Sequence, residues 1–155
     1  SSDGSIVAIG AVGHDGIGQD SGYVRVFKYA SNAWRQLGSD IVGQAAGDNF
    51  GASVSLSHDG LTAAIGAPLN DFNGQNSGLV DTFKFEDDVD WFKKGNSLYG
   101  AFAGDNFSLV SLSADSNTLV VVSKNDYSLL NPGRVRVYYR VKCTCAWGWC
   151  QCVAV

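Results

Sequence analysis

Residues 46–68 read AGDNFGASVSLSHDGLTAAIGAP, and pieces of this stretch return on both sides of it. Its first five residues recur as AGDNF at 103–107. The tetrapeptide SHDG at 57–60 follows SSDG at 1–4 and precedes SADS at 113–116, at a spacing of 56 residues each time. AIGA at 64–67 likewise repeats AIGA at 8–11. This many ordered matches indicate a repeat architecture, which decides the fold class.

Within one period the pattern is that of short antiparallel strands. Residues 50–57 alternate with Val54 and Leu56 on one face, and Asp59-Gly60 is a typical hairpin pair. A short apolar run at 61–67, a polar glycine-rich loop at 70–77, and strands at 79–85 and 91–94 follow. Four antiparallel strands in about fifty residues predict one β-propeller blade.

Phe50-Gly51 and Gly66-Ala67-Pro68 are the two motifs for which FG-GAP repeats are named, and the chain resembles this family up to about Tyr139. The resemblance implies a propeller of the kind found in integrin α-subunits and in microbial and algal surface proteins. The outer units vary the motifs: 10–12 reads GAV without the proline, and the third unit reads FS at 107–108 and VVS at 121–123. The Trp-Asp and paired-glycine signatures of WD-repeat and kelch propellers are missing.

We therefore predict an all-β fold of antiparallel four-stranded blades that form a partial β-propeller. About three blades are expected over 1–142, in units near 1–56, 57–112 and 113–142, with a Cys/Trp-rich tail at 143–155 that could supply a last strand. About eleven strands are fewer than a closed ring needs. We expect a fragment of a larger ring; the alternative is that neighbouring subunits complete the ring.

Composition excludes some classes of partner. The formal net charge is −4 and the sequence pI is about 4.9, so a nucleic-acid backbone would be repelled on average. The longest apolar runs, such as 119–122, are far too short to span a bilayer. A local basic stripe, predicted as a solvated strand face, comprises Arg134, Arg136, Arg140 and Lys142.

The polar loops are the candidate metal sites. The resemblance places calcium at loops 15–21 and 70–77, and calcium prefers six to eight oxygen ligands. Asp71, Asn73 and Gln75 alternate in the second loop and are the predicted ligands, with calcium the only cofactor expected. The first loop offers Asp15 and then Ile17, which cannot be a ligand. The alternative is a hairpin loop closed by Asx-type hydrogen bonds.

No catalytic constellation is recognisable. Asp48 and Asp105 precede strands and are predicted as turn residues, and His14 and His58 have no second ligand at metal spacing. We predict a non-enzymatic binding or scaffold module of an extracellular or cell-surface protein, with a protein or glycan ligand. Two alternatives stay open: part of a propeller-type polysaccharide hydrolase or lyase, and an accessory subunit docked in a large assembly.

Aromatic and cysteine residues complete the predictions. Trp34, Trp91 and Trp147 share one repeat position and are predicted to pack between blades, with stacking on a sugar as the alternative. The four cysteines would pair across a hairpin, Cys143 opposite Cys152 and Cys145 opposite Cys150, as disulfides or as a four-thiolate metal site. The predicted core of the middle unit is Val54, Leu56, Ile65, Val80, Phe83 and Trp91.

Overall fold

The computed structural model describes residues 1–125, 133–146 and 149–154, with side chains described as far as Arg140. Every regular element in this part of the chain is a β-strand, and every strand pairing is antiparallel. The all-β prediction is therefore confirmed. Three sheets of three or four strands, and one separate two-stranded hairpin, follow one another along the sequence.

The first blade contains β1 (Ile6–Ala11), β2 (Tyr23–Ala30), β3 (Ala33–Gln36) and β4 (Ile41–Val42). Its central strand is β2, which pairs with β1 on one side and with both β3 and β4 on the other. The two short strands therefore share the place of a single outer strand.

The middle blade contains β5 (Ser53–Leu56), β6 (Thr62–Ala67), β7 (Leu79–Glu86) and β8 (Asp90–Tyr99), in that spatial order. Strand β8 is continuous, whereas β3 and β4 occupy the equivalent place in the first blade as two separate strands. The pairing of β7 with β8 has a register shift between Val80 and Thr82. This sheet is the complete four-stranded blade that the sequence predicts.

The third blade contains β9 (Leu109–Leu112), β10 (Thr118–Ser123) and β11 (Arg134–Tyr139), with β10 in the centre. The hairpin that follows consists of β12 (Val141–Ala146) and β13 (Trp149–Ala154). Its backbone register places Cys143 opposite Cys152 and Cys145 opposite Cys150, as the spacing predicts.

The repeated tetrapeptides lie in turns that link successive blades, and two of them join the first two strands of their blade. SHDG lies between β5 and β6, and SADS lies between β9 and β10. The backbone amide of Ser2 donates to the carbonyl of His58 at 3.2 Å, and the amide of His58 donates to the carbonyl of Ala114 at 3.0 Å. Equivalent positions 56 residues apart therefore form a hydrogen-bonded chain across all three blades.

The glycines of the repeated motifs lie where neighbouring blades come closest. A Cβ atom on Gly66 of β6 would lie 1.9 Å from the carbonyl oxygen of Ser108, just before β9. A Cβ atom on Gly10 of β1 would lie 2.0 Å from the carbonyl oxygen of Gly51, just before β5. Such backbone-to-backbone contact leaves room for a hydrogen atom only. The motif residues thus set the spacing between blades.

Two apolar clusters fill the spaces between the blades. The larger joins the first and middle blades, and the smaller joins the middle and third blades around Val80, Phe107 and Val121. Of the predicted core, Ile65, Val80 and Trp91 are buried. Val54, Leu56 and Phe83 are only half-buried, which corrects the prediction; they pack at the margin of the larger cluster.

The tryptophans at the shared repeat position differ in environment. Trp91 is buried, and its indole Nε1–H donates to the carbonyl of Leu37 in the first blade at 2.7 Å. Trp34 is 48% exposed and its ring lies 5.3 Å from that of Tyr29 in its own blade, so the prediction that it packs between blades is wrong for the described residues. Trp147 lies outside the described residues.

The basic stripe is not a solvated face. Arg134 and Arg136 are half-buried on the side of β11 that faces the middle blade, and the Arg136 guanidinium lies 5.2 Å from the ring centre of Phe107. Arg140 follows the end of β11 and is exposed, and the side chain of Lys142 lies outside the description. The prediction was wrong for Arg134 and Arg136 because the strand alternates and the exposed face carries Val135 and Val137 instead.

Asp90 links the first and middle blades and should make this junction acid-sensitive. Its Oδ1 accepts from the amide of Ser39 at 2.7 Å and from its neighbour Trp91 at 2.8 Å, and these bonds lower the pKa of the carboxyl group. The bonded carboxylate stabilises the fold above about pH 4, and this contribution is lost as the pH falls through the lowered pKa. Urea unfolding between about pH 6 and pH 2 should show a flatter decline for Asp90→Asn. Parallel declines for both proteins would contradict the assignment.

Candidate functional site

One end of the blades carries four loops that hold each other in place. These are residues 12–22, 43–52, 68–78 and 100–108, which we call the loop surface. The amides of Gly104, Asn106 and Phe107 donate to the carbonyls of Gln75, Asn76 and Ser77 at 2.8–3.0 Å. Loops 12–22 and 43–52 make the same three bonds, in which the amides of residues 47, 49 and 50 donate to the carbonyls of residues 19, 20 and 21. The repeat therefore fixes the loops as well as the strands.

The loop proposed for calcium is closed by its own hydrogen bonds. Asp71 Oδ1 accepts from the amide of Asn76 at 2.7 Å, and the Asn73 amide group donates to the carbonyl of Gly100 at 2.8 Å. Ser77 Oγ donates to the carbonyl of Asn70 at 3.1 Å. Gln75 is exposed. Asp71 therefore closes the loop on itself, as in the Asx-type alternative, whereas Asn73 bonds to the neighbouring loop 100–108.

The first loop repeats this arrangement around different side chains. Asp15 Oδ1 accepts from the amide of Asp20 at 2.9 Å, and Ser21 Oγ donates to the carbonyl of His14 at 3.1 Å. Within the described part of the chain, no three acidic, histidine or cysteine groups gather into a metal cluster. Calcium at Asp71, Asn73 and Gln75 stays a prediction.

A chelator experiment separates an ion from a self-closed loop. If calcium is bound, EDTA should lower the melting temperature of the wild type and leave Asp71→Ala unaffected. Asp71→Ala should itself cost about 1 kcal/mol, because the Asn76 amide loses its acceptor. Asp15→Ala is the matched control, since it removes the equivalent hydrogen bond from the loop that lacks alternating ligands. Equal melting curves for wild type with EDTA and with added calcium would overturn the calcium prediction.

The buried carboxylates beneath the loop surface have structural partners. Asp48 accepts from the side-chain amide of Asn70 at 2.9 Å, and burial raises the pKa of its carboxyl group. Asp105 Oδ2 accepts from the amides of Ala101 and Phe102 at 2.9 and 3.1 Å, as its predicted turn role requires. Asp81 lies 3.0 Å from Lys93 Nζ as an ion pair.

The sequence analysis missed an exposed aromatic group on the loop surface. The ring of Phe72 is stacked on Tyr99 with centres 4.1 Å apart and an angle of 17°, yet Phe72 is 70% exposed. Phe102, in the adjoining loop, is 46% exposed. The signal in the sequence is Phe72 itself, one large apolar residue inside an otherwise polar loop.

The two histidines make separate local contacts. His14 packs edge-on against Tyr23 with ring centres 4.3 Å apart. His58 Nε2 lies 3.3 Å from Ser2 Oγ, in the turn at the opposite end of the blades. They are therefore not brought together.

The structure defines an all-β repeat protein built from propeller-type blades, with loops gathered at one end. The family model of the FG-GAP repeat matches residues 42–83, which run from the end of β4 through β5 and β6 into β7. This match supports an FG-GAP-like repeat protein. A search of curated proteins found no match. Among the described residues, no helix has the length and apolar character needed to cross a membrane.

Proposed function

We propose that the chain is a non-enzymatic binding module of an extracellular or cell-surface protein, and that it binds a protein partner through the loop surface. FG-GAP repeats are typical of extracellular and cell-surface proteins, which supports the location. The blades supply a rigid frame, because the same backbone bonds connect each pair of loops.

The observation that carries the proposal is the exposed Phe72. Burial normally stabilises an aromatic ring. The ring of Phe72 is instead held in one outward orientation by its stacking on Tyr99. A pre-ordered aromatic side chain loses little conformational freedom on binding, which is the property of an interface anchor. Phe102 extends the same apolar area.

The test screens the 155-residue chain against arrays of extracellular protein domains and of glycans. We expect a protein ligand whose binding is weakened at least tenfold by Phe72→Ala, the loss of one anchor side chain. Val89→Ala is the matched control, because Val89 is 68% exposed in the β7–β8 turn at the other end of the blade. Equal loss for both variants would contradict the loop surface as the interface.

The same screen tests the alternatives. Turnover of a polysaccharide would favour a hydrolase or lyase and overturn the non-enzymatic proposal. Recovery only as part of a large assembly, with no binding by the purified chain, would favour a docked accessory subunit.

A further inference from the structure

The two spaces between blades are built from equivalent positions but filled differently. Between the first and middle blades, large apolar side chains at Ile6, Leu37 and Phe85 pack with Trp91. The equivalent positions between the middle and third blades are Thr62, Lys94 and Arg140. The equivalence is structural: the amide of Phe85 donates to the carbonyl of Leu61, and the amide of Arg140 donates to the carbonyl of Asn117, in the same place of each sheet.

These replacements leave a cavity of about 220 Å³ between the middle and third blades. Its walls are mostly apolar and include Val80, Leu98, Leu112 and Leu119, so a ligand that fills it needs an apolar body. The volume is large enough for a bicyclic aromatic ring.

In the space between the first and middle blades, the equivalent position is occupied by an aromatic side chain. Gly38 adopts a left-handed turn with φ of 74°, and its Cα faces the indole of Trp91, whose Cδ1 would lie 2.7 Å from an added Cβ. Gly95 adopts the same turn in the middle blade, with φ of 69°, and lines the cavity; no atom of the described residues lies within 4 Å of the equivalent Cβ position. Among the described side chains, which end at Arg140, no aromatic ring occupies the position beside Gly95 that Trp91 occupies beside Gly38.

The rim of the cavity is positively charged in a chain of net charge −4. Lys84, Lys94 and Arg140 line it, and Glu86 pairs with the two lysines at 3.7 and 2.6 Å. Among the residues that the structure describes, no acidic side chain pairs with Arg140. Three cations thus share one carboxylate, which leaves the rim suited to an anion.

We propose that this cavity is a binding site for a small aromatic carboxylate. The ring of the ligand lies beside Gly95, and its carboxylate pairs with Arg140. The apolar walls favour the aromatic ring, and the cationic rim favours the negative charge of the carboxylate. The proposal goes beyond the loop surface and does not depend on it, since the cavity lies between the sheets.

The probe is indole-3-acetate, titrated into the 155-residue chain with amide chemical shifts as the readout. We expect saturable shifts at Gly95, Asn96 and Asn117, and binding at least tenfold weaker for the uncharged ring indole. Arg140→Gln should remove most of this difference, whereas Arg35→Gln, an exposed arginine on β3, should leave it unchanged. Leu112→Trp should fill the cavity and abolish binding of both compounds.

Three results would overturn the proposal. These are equal binding of indole and indole-3-acetate, shifts confined to residues away from Gly95, and binding by Trp147→Ala but not by the wild type. The last result would mean that the chain's own Trp147 occupies the position beside Gly95. Phe72→Ala should leave binding of indole-3-acetate unchanged, which keeps this test separate from that of the loop surface.

Discussion

Gly66→Ala should destabilise the chain by at least about 3 kcal/mol, the upper part of the range for overpacking. The added Cβ would lie 1.9 Å from the carbonyl oxygen of Ser108, and a backbone atom cannot rotate away as a side chain would. The middle and third blades would have to separate, which exposes the cluster around Phe107. This loss is a large part of the stability of a typical domain.

Gly13→Ala is the matched control for this prediction. Its Cβ would meet only Asp20 Oδ1, at the ordinary distance of 3.6 Å, so we expect a change within about 0.5 kcal/mol. Urea unfolding followed by fluorescence measures both variants. Similar stabilities for Gly66→Ala and Gly13→Ala would contradict the close approach of the blades.

Trp91→Ala should cost about 3–5 kcal/mol, the range for removing a large buried aromatic side chain. The indole packs against Phe85 with ring centres 5.6 Å apart and reaches the carbonyl of Leu37 in the neighbouring blade. Its removal therefore leaves a cavity between blades and an unpaired carbonyl group.

Trp34→Ala is the control, since Trp34 occupies the same repeat position but is 48% exposed. We expect it to cost less than about 1 kcal/mol, mainly the contact with Tyr29. Thermal unfolding of the two variants side by side measures the difference. Equal losses would mean that the two tryptophans have equal environments, against the structure.

The repeated sequence made the fold predictable, but it did not predict the exposure of Trp34. The positions of the strands, the turns at SHDG and SADS, and the burial of Ile65 and Trp91 follow from periodic sequence alone. The burial of a side chain at this repeat position depends on contact with a neighbouring blade, and the sequence pattern does not show whether that contact exists. The exposure of Trp34 could therefore not be predicted in the same way. The second and third sequence units also begin inside sheets, since SHDG and SADS each join the first two strands of a blade.

The candidate sites were less accessible from the sequence. Alternating Asp71, Asn73 and Gln75 resemble calcium ligands in one dimension, yet in three dimensions Asp71 and Asn73 have backbone partners. The cavity between the middle and third blades is lined by residues from six strands, which no local sequence pattern brings together. Only comparison of the two spaces, position by position, reveals it.

Residue-resolved amide hydrogen exchange tests the stack of blades most directly. The amides of β6 lie in a sheet with neighbours on both sides, and the amide of His58 is bonded to the third blade. We predict that β6 exchanges slowest and that His58, although in an exposed turn, is protected, whereas β3 at the edge of the first blade exchanges fastest among the strands. Exchange of β6 as fast as β3, or an unprotected His58 amide, would contradict the account.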